Sequence, residues 1–255
     1  GIGRGMNGFV ELQRPDAAKL SEIAARAEVL HERYGELEGE ALLRVMLEWE
    51  YSGRIALVSS FGAEAAVLLD MVARVDPATP VIFIDTGKLF HHTLTYRDTF
   101  VRRLGLTDVR SIAPIAFDLA GHDPDGVLWQ SNPNLCCYLR KVLPLERALA
   151  GFDAWITGRK RDHGGERTAL QTIEAIDGRI RFNPLARWTR ENIDAAFRER
   201  GLPRHPLNDE GYASIGCAPC TEPAEADEDA RAGRWRGNTK SECGIHHARW
   251  SADSL

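Results

Sequence analysis

The five cysteines fall into two pairs and one remainder. Cys136 and Cys137 are adjacent, and Cys217-Ala218-Pro219-Cys220 sets two more thiols in a Cys-x-x-Cys step. Four thiolates in two close pairs suit a tetrahedral sulfur site or a [4Fe–4S] cluster. Cys-x-x-Cys suits zinc equally well, because it presents two sulfurs to one metal. Adjacent cysteines are less usual around zinc, whereas a cubane can take neighbouring sulfurs on different irons. Cys243 stands apart in Ser241-Glu242-Cys243-Gly244-Ile245-His246-His247, close to the C-terminus. A thiolate there would be favoured by Lys240, His246 and His247 and opposed by a close Glu242. A cysteine on a mobile tail can reach a substrate, then swing out to a reducing partner.

The rest of the chain bounds that chemistry. An odd cysteine count, with no apolar stretch of signal length in Gly1 to Val10, argues against secretion and a disulfide scaffold. The expected compartment is the cytoplasm. No run of about 18 apolar residues occurs, so no membrane span is expected. A net charge of −5, from 32 basic and 37 acidic residues, disfavours a broad nucleic-acid surface. With 44% hydrophobic and 27% charged residues over 255 positions, disordered, collagen-like and coiled-coil chains are excluded.

The elements that must position these residues follow from periodicity. From Pro15 to about Glu50 the pattern is helical, with stripes Leu20, Ile23, Ala24, Ala27, Leu30, Tyr34 and Leu42, Val45, Met46, Trp49 read as packing faces. Pro15-Asp16 marks a start, and the Gly35 and Gly39 region a break. After Gly53 short apolar runs alternate with helical stretches. Strands are expected at 55–58, 80–84, 109–112, 154–157 and 180–182, with Thr189 capping a helix that ends before Gly201. This alternation predicts an α/β domain with a doubly wound, mainly parallel sheet. The expected organisation is a flexible stretch over 1–14, the α/β domain over 15–204, and a loop-rich C-terminal segment over 205–255.

Ligands of such sheets bind beyond the carboxyl ends of the strands, where strand order reverses. Three polar loops follow strands here: Ser59 to Glu64, Asp85 to Lys88, and Gly158 to Thr168. Ser59, Ser60 and Gly62 can offer hydroxyls and backbone N–H groups to a phosphate. The loop matches neither Gly-x-Gly-x-x-Gly nor the Gly-Lys-Ser/Thr phosphate loop, so it names no nucleotide.

Taken together, three motifs resemble the assimilatory adenylyl-sulfate (APS) reductases: Cys136-Cys137-x-x-Arg140-Lys141, Ile215-Gly216-Cys217-Ala218-Pro219-Cys220-Thr221, and Glu242-Cys243-Gly244-Ile245-His246. The likeness continues through Ser59 to Glu64, Asp85-Thr86-Gly87-Lys88-Leu89-Phe90, Gly158-Arg159-Lys160-Arg161-Asp162 and Phe182-Asn183-Pro184-Leu185. The Glu-Cys-Gly-Ile-His signature is shared with phosphoadenylyl-sulfate (PAPS) reductases. The paired cysteines mark the iron–sulfur branch, which mostly uses APS.

The resemblance implies an adenine nucleotide α-hydrolase-like fold and a [4Fe–4S] cluster on Cys136, Cys137, Cys217 and Cys220. It also implies that Cys243 attacks the sulfur of APS, releasing AMP, and that thioredoxin or a similar dithiol frees sulfite. Substrate contacts are implied for Ser59, Ser60, Gly62, Asp85, Thr86, Gly87, Lys141, Gly158, Arg167, Arg231, Arg234 and His246, with Lys141 between cluster and substrate. Arg159, Lys160 and Arg161 add cations for an anionic substrate. Self-association is left open. His91-His92 replace the family's usual Pro-Glu, and an adjacent His pair is also a candidate metal ligand. Alternatives are PAPS reduction on the same scaffold, an ATP-pyrophosphatase-type enzyme, whose Ser-Gly-Gly-x-Asp-Ser loop is missing here, and a zinc-stabilised nucleotide-binding module.

Overall fold

The apolar run Ile55 to Val58 becomes β1 (Ile55–Val58), a central strand of a six-stranded sheet in the computed structural model, which describes residues 12–249. The flexible stretch expected over 1–14 therefore lies almost wholly outside the described residues. The other strands are β2 (Val81–Ile84), β3 (Val109–Ile112), β4 (Ala154–Ile156), β5 (Ile173–Ile176) and β6 (Arg179–Phe182). Their order is β3-β2-β1-β4-β6-β5, and all neighbours run parallel except the β5–β6 pair. Leu57 sits opposite Val81 on one side and Ile156 on the other. Chain order thus reverses between β1 and β4, where the loops after these two strands face each other.

Strand β5 is absent from the sequence reading, although its signal was present. Asp177-Gly178 joins β5 to β6 with φ of 51° and 83°, a two-residue turn with both residues left-handed. Such a turn matches the twist of a hairpin, and Asp-Gly is favoured in it.

Helices α1 (Ala17–Tyr34), α2 (Gly39–Val45), α3 (Ala65–Val75) and α4 (His91–Leu104) precede α5 (Ala116–His122), α6 (Leu128–Ser131), α7 (Pro133–Cys137), α8 (Leu143–Leu149) and α9 (Arg190–Arg200). Asp16 caps α1 by accepting from the Lys19 N–H, and Thr189 caps α9 through Asn192. Alternate strand residues separate two apolar layers. Leu57, Phe83, Ile156 and Phe182 pack with α1, α2, α3, α4 and α9, whereas Ala56, Ile82 and Trp155 pack with Leu145 and Leu149 of α8. Leu57 is wholly buried. Leu57→Ala is expected to cost about 2–5 kcal/mol, seen as a lower denaturant midpoint with an unchanged slope.

Two stripe positions are corrected. Ala24 is exposed, and Trp49 is 78% exposed. The chain from Met46 to Glu50 forms a wider turn closed by Tyr51 N–H on the Met46 carbonyl, five residues back. That widening moves the buried face to Met46 and Leu47 and turns Trp49 outward. No described helix is long and apolar enough to cross a membrane.

Candidate active site

The loop after β1 is built by its own serines. Ser59 Oγ accepts from the Phe61 N–H and Ser60 Oγ from the Gly62 N–H, each at 3.2 Å. Those two N–H groups are therefore already used, and the loop offers a ligand its serine hydroxyl protons instead. Ser59, Ser60 and Gly62 line a cavity of about 240 Å³ at the switch point between β1 and β4. Thr86, Lys141, Gly158, Arg159, Arg167, Arg231, Arg234, Cys243 and His246 line the same cavity. Residues from five separate stretches of sequence are thus brought to one place.

Asp85 and Gly87 do not line it. Asp85 instead accepts from the Gly87 N–H at 3.0 Å, closing a turn. Lys160 and Arg161 also turn away. Lys160 Nζ pairs with Glu64 at 3.0 Å, and Arg161 Nε donates to the Leu170 carbonyl at 2.7 Å.

The cavity is strongly cationic. Arg159 and Arg231 are driven down to about 10, by burial first and by neighbouring guanidinium groups second, and both stay charged at neutral pH. Arg159 Nε and Nη1, Arg234 Nε and His246 Nδ1 are buried without partners. Burial and the surrounding arginines hold His246 well below the ordinary imidazole range, so its ring is neutral. That ring lies flat against Trp155, with centroids 6.0 Å apart. Unpaired buried donors beside concentrated positive charge suit a polyanion. Gly216 lets Arg234 sit where it does, because a Cβ at that position would stand 2.4 Å from Arg234 Nη2 and displace its guanidinium.

The described part of the C-terminal segment is closed over this cavity. Arg167 grips Glu242 with both arms of a fork, Nε at 2.6 Å and Nη2 at 3.0 Å, and Arg231 adds a contact at 3.4 Å. Burial would raise the Glu242 carboxyl, but the Arg167 bond and the arginine charges outweigh it and hold it low. Glu242 therefore faces the arginines. Cys243 lines the inner cavity and also an outer groove with Tyr138, Val142, Asn238 and Lys240. Gly244 makes this possible: its φ of 97° turns the chain immediately after the cysteine.

The other four cysteines line a second cavity, together with Lys88, Trp129, Arg140, Lys141 and Trp235. All of them are free thiols. Burial pushes Cys137 up to about 12 and also raises Cys136 and Cys220. Four sulfurs converging on one cavity, three of them resisting ionisation alone, suit a group that binds thiolate directly. Thr86 accepts from the Lys88 N–H, leaving its hydroxyl 3.2 Å from Cys217 Sγ. Beneath this, Arg140 makes a buried pair with Asp123 at 2.7 Å and donates to the Thr86 carbonyl. The loop after β2 is thus a wall of the cysteine cavity, which residue type alone did not reveal. Among the described residues no group of three or more His, Cys, Asp or Glu is arranged to hold a metal ion. The fit to a cluster rests on the all-sulfur donor set and its flanking cations. His91 and His92 stack on one another, with centroids 3.9 Å apart, and form no such group.

Lys141 lines both cavities. Burial acts to lower its ammonium, but neighbouring Cys217 and Cys243 outweigh that and keep it charged.

Residues 54–223 match the family described as phosphoadenosine phosphosulfate reductase domain. The chain is 49% identical to an adenosine 5′-phosphosulfate reductase of Mesorhizobium japonicum, over 88% of each chain. It is 38% identical to a phosphoadenosine 5′-phosphosulfate reductase of Gloeobacter violaceus, covering 86% of this chain and 92% of the relative. A crystal structure of PAPS reductase from Candida auris, in complex with phosphate, superposes with a TM-score of 0.66 at 28% identity. That superposition covers 78% of this chain and 97% of the other. An FMN adenylyltransferase of Candida glabrata, 15% identical with a TM-score of 0.52, shares the fold alone.

Proposed function

Because the chain belongs to the APS/PAPS reductase family of enzymes, we propose that it reduces adenylyl sulfate to sulfite and AMP, with Cys243 as nucleophile. One observation carries the reading: Cys243 shares a cavity with Arg159, Arg167, Arg231 and Arg234, and Lys141 joins it to the four-cysteine cavity. The preference for APS over PAPS is supported by the relatives at 49% and 46% identity, both named as APS reductases.

In the first step Cys243 Sγ donates an electron pair to the sulfur of the sulfuryl group. The bond from that sulfur to the bridging phosphate oxygen breaks, and AMP leaves with the electron pair. An S-sulfocysteine remains on Cys243. The arginines and Lys141 offset the charge gathering on the leaving phosphate. In the second step a thiolate of thioredoxin, or of a similar dithiol, attacks Cys243 Sγ. Sulfite leaves with the electrons of the S–S bond, and the partner's second thiol resolves the mixed disulfide. Two electrons come from the dithiol, so no electron relay is required. The partner's approach is served by the outer groove onto which Cys243 opens. A reducing, cytoplasmic setting suits both the free thiols and the dithiol partner.

Cys136, Cys137, Cys217 and Cys220 would hold the [4Fe–4S] cluster, whose chemical contribution when bound is local charge beside Lys141. Steady-state sulfite release with each nucleotide tests the substrate assignment. APS is expected to give the higher kcat/KM, and a clear preference for PAPS contradicts it.

A further inference from the structure

A polar chain that runs through His163, a residue outside the motifs, joins the phosphate-loop side of the cavity to the catalytic tail. Glu64, beside the first turn of α3, accepts from His163 Nε2 and Lys160 Nζ, both at 3.1 Å. The other ring nitrogen of His163, Nδ1, faces the Lys160 backbone N–H at 3.3 Å and Arg167 Nη1 at 2.8 Å. Arg167 in turn holds Glu242, next to Cys243, through its Nε–Nη2 edge.

The donor pattern fixes the tautomer. An arginine N–H and a backbone N–H can only donate, so Nδ1 must accept and Nε2 must carry the proton. Glu64 matches this, since a carboxylate accepts that proton. Burial would raise Glu64, but the His163 bond and the Lys160 charge hold it at about 2, so it is ionised throughout.

We propose that His163 is a positioning residue for the reaction: its neutral, Nε2-protonated ring holds Arg167 by Nη1 and so presents the Nε–Nη2 fork to the anion. The fork is the edge that binds a planar or tetrahedral oxyanion with two hydrogen bonds. Glu242 occupies it in this structure, and the sulfuryl or phosphate oxygens of the substrate take its place. This assignment rests on the APS-reductase reading for its substrate, though not for its geometry.

Protonation would put an N–H on Nδ1, facing the Arg167 N–H. The charged groups facing His163 are Glu64, Lys160 and Arg167, and Asp229 lies against the neighbouring Gly164. Burial is the largest influence and keeps the ring below its ordinary range. The neutral form therefore persists at neutral pH, and the hold on Arg167 is lost only as pH falls through that lowered value.

The test compares His163→Asn with His163→Gln in the intact holoprotein. Asparagine places a carbonyl oxygen near Nδ1, keeping the acceptor for Arg167. Glutamine places its amide near Nε2, keeping the Glu64 contact and losing that acceptor. His163→Gln is expected to weaken binding of inorganic sulfate by calorimetry, and to raise KM for APS, by about tenfold or more with kcat little changed. His163→Asn should stay within about twofold of wild type and lose the acid-side fall in affinity. Equal damage in both variants, or a harmless glutamine, overturns the proposal. If the sulfate pattern holds while wild type releases no sulfite from APS, His163 keeps this role and the substrate reading fails.

Discussion

Cys243→Ser is expected to lower sulfite release by at least about 10³-fold, because the covalent step loses its nucleophile. A serine hydroxyl is far less acidic than a thiol, and oxygen is a poor, hard nucleophile toward sulfur. The site around position 243 should be unchanged. Cys243 is half-buried between two cavities, and its side chain is not part of either apolar layer. The Arg167–Glu242 fork that seats the tail does not use it. Titration with AMP, thermal unfolding and visible absorbance of the variant should therefore match wild type. Substantial turnover by Cys243→Ser would remove this residue from the reaction.

The second large effect is expected at Cys217. Cys217→Ser replaces a soft sulfur donor with a hard hydroxyl oxygen and disturbs the contact with Thr86 Oγ1. The wild-type holoprotein, prepared without oxygen, is expected to be brown and to carry iron and sulfide. The variant should lose most of both. Metal–thiolate bonding at these cysteines would join α7 to the C-terminal segment, so its loss would also be a loss of folding free energy. A fall in Tm of about 10 °C or more is expected. The Arg140–Asp123 pair beneath the cavity would then support an incomplete site. A colourless wild-type protein that binds zinc instead would overturn the cluster assignment.

The difference between these variants separates two kinds of information in the chain. Cys136, Cys137, Cys217, Cys220 and Cys243 were legible because a rare residue type recurred at chemically meaningful spacing. Strands β1, β2, β3, β4 and β6 were legible because short apolar runs alternate with helical stretches. Trp49 was misplaced because a periodic stripe assumes a uniform helix, and a single wide turn breaks that assumption.

What remained hidden depends on contacts between distant positions. Arg167 and Glu242 are 75 residues apart, and nothing local marks them as a bidentate pair. Asp85 and Gly87 belong to the motif after β2, yet that loop turns Thr86 toward Cys217 and braces the cysteine cavity. Lys160 and Arg161 look like substrate cations beside Arg159, but one neutralises Glu64 and the other ties down a carbonyl. His163 carries no motif signal at all. Its place is defined only when Glu64, ninety-nine residues earlier, is brought beside it.

The account depends most on a covalent bond between Cys243 and the sulfur of the substrate. Anaerobic incubation of the holoprotein with APS, without any dithiol, followed by peptide mass spectrometry, tests this directly. The predicted result is AMP release matched by one sulfonate adduct, confined to the peptide that contains Cys243 and discharged as sulfite when thioredoxin is added. An unmodified Cys243 in protein that has released AMP, or an adduct carried by another cysteine, would contradict it.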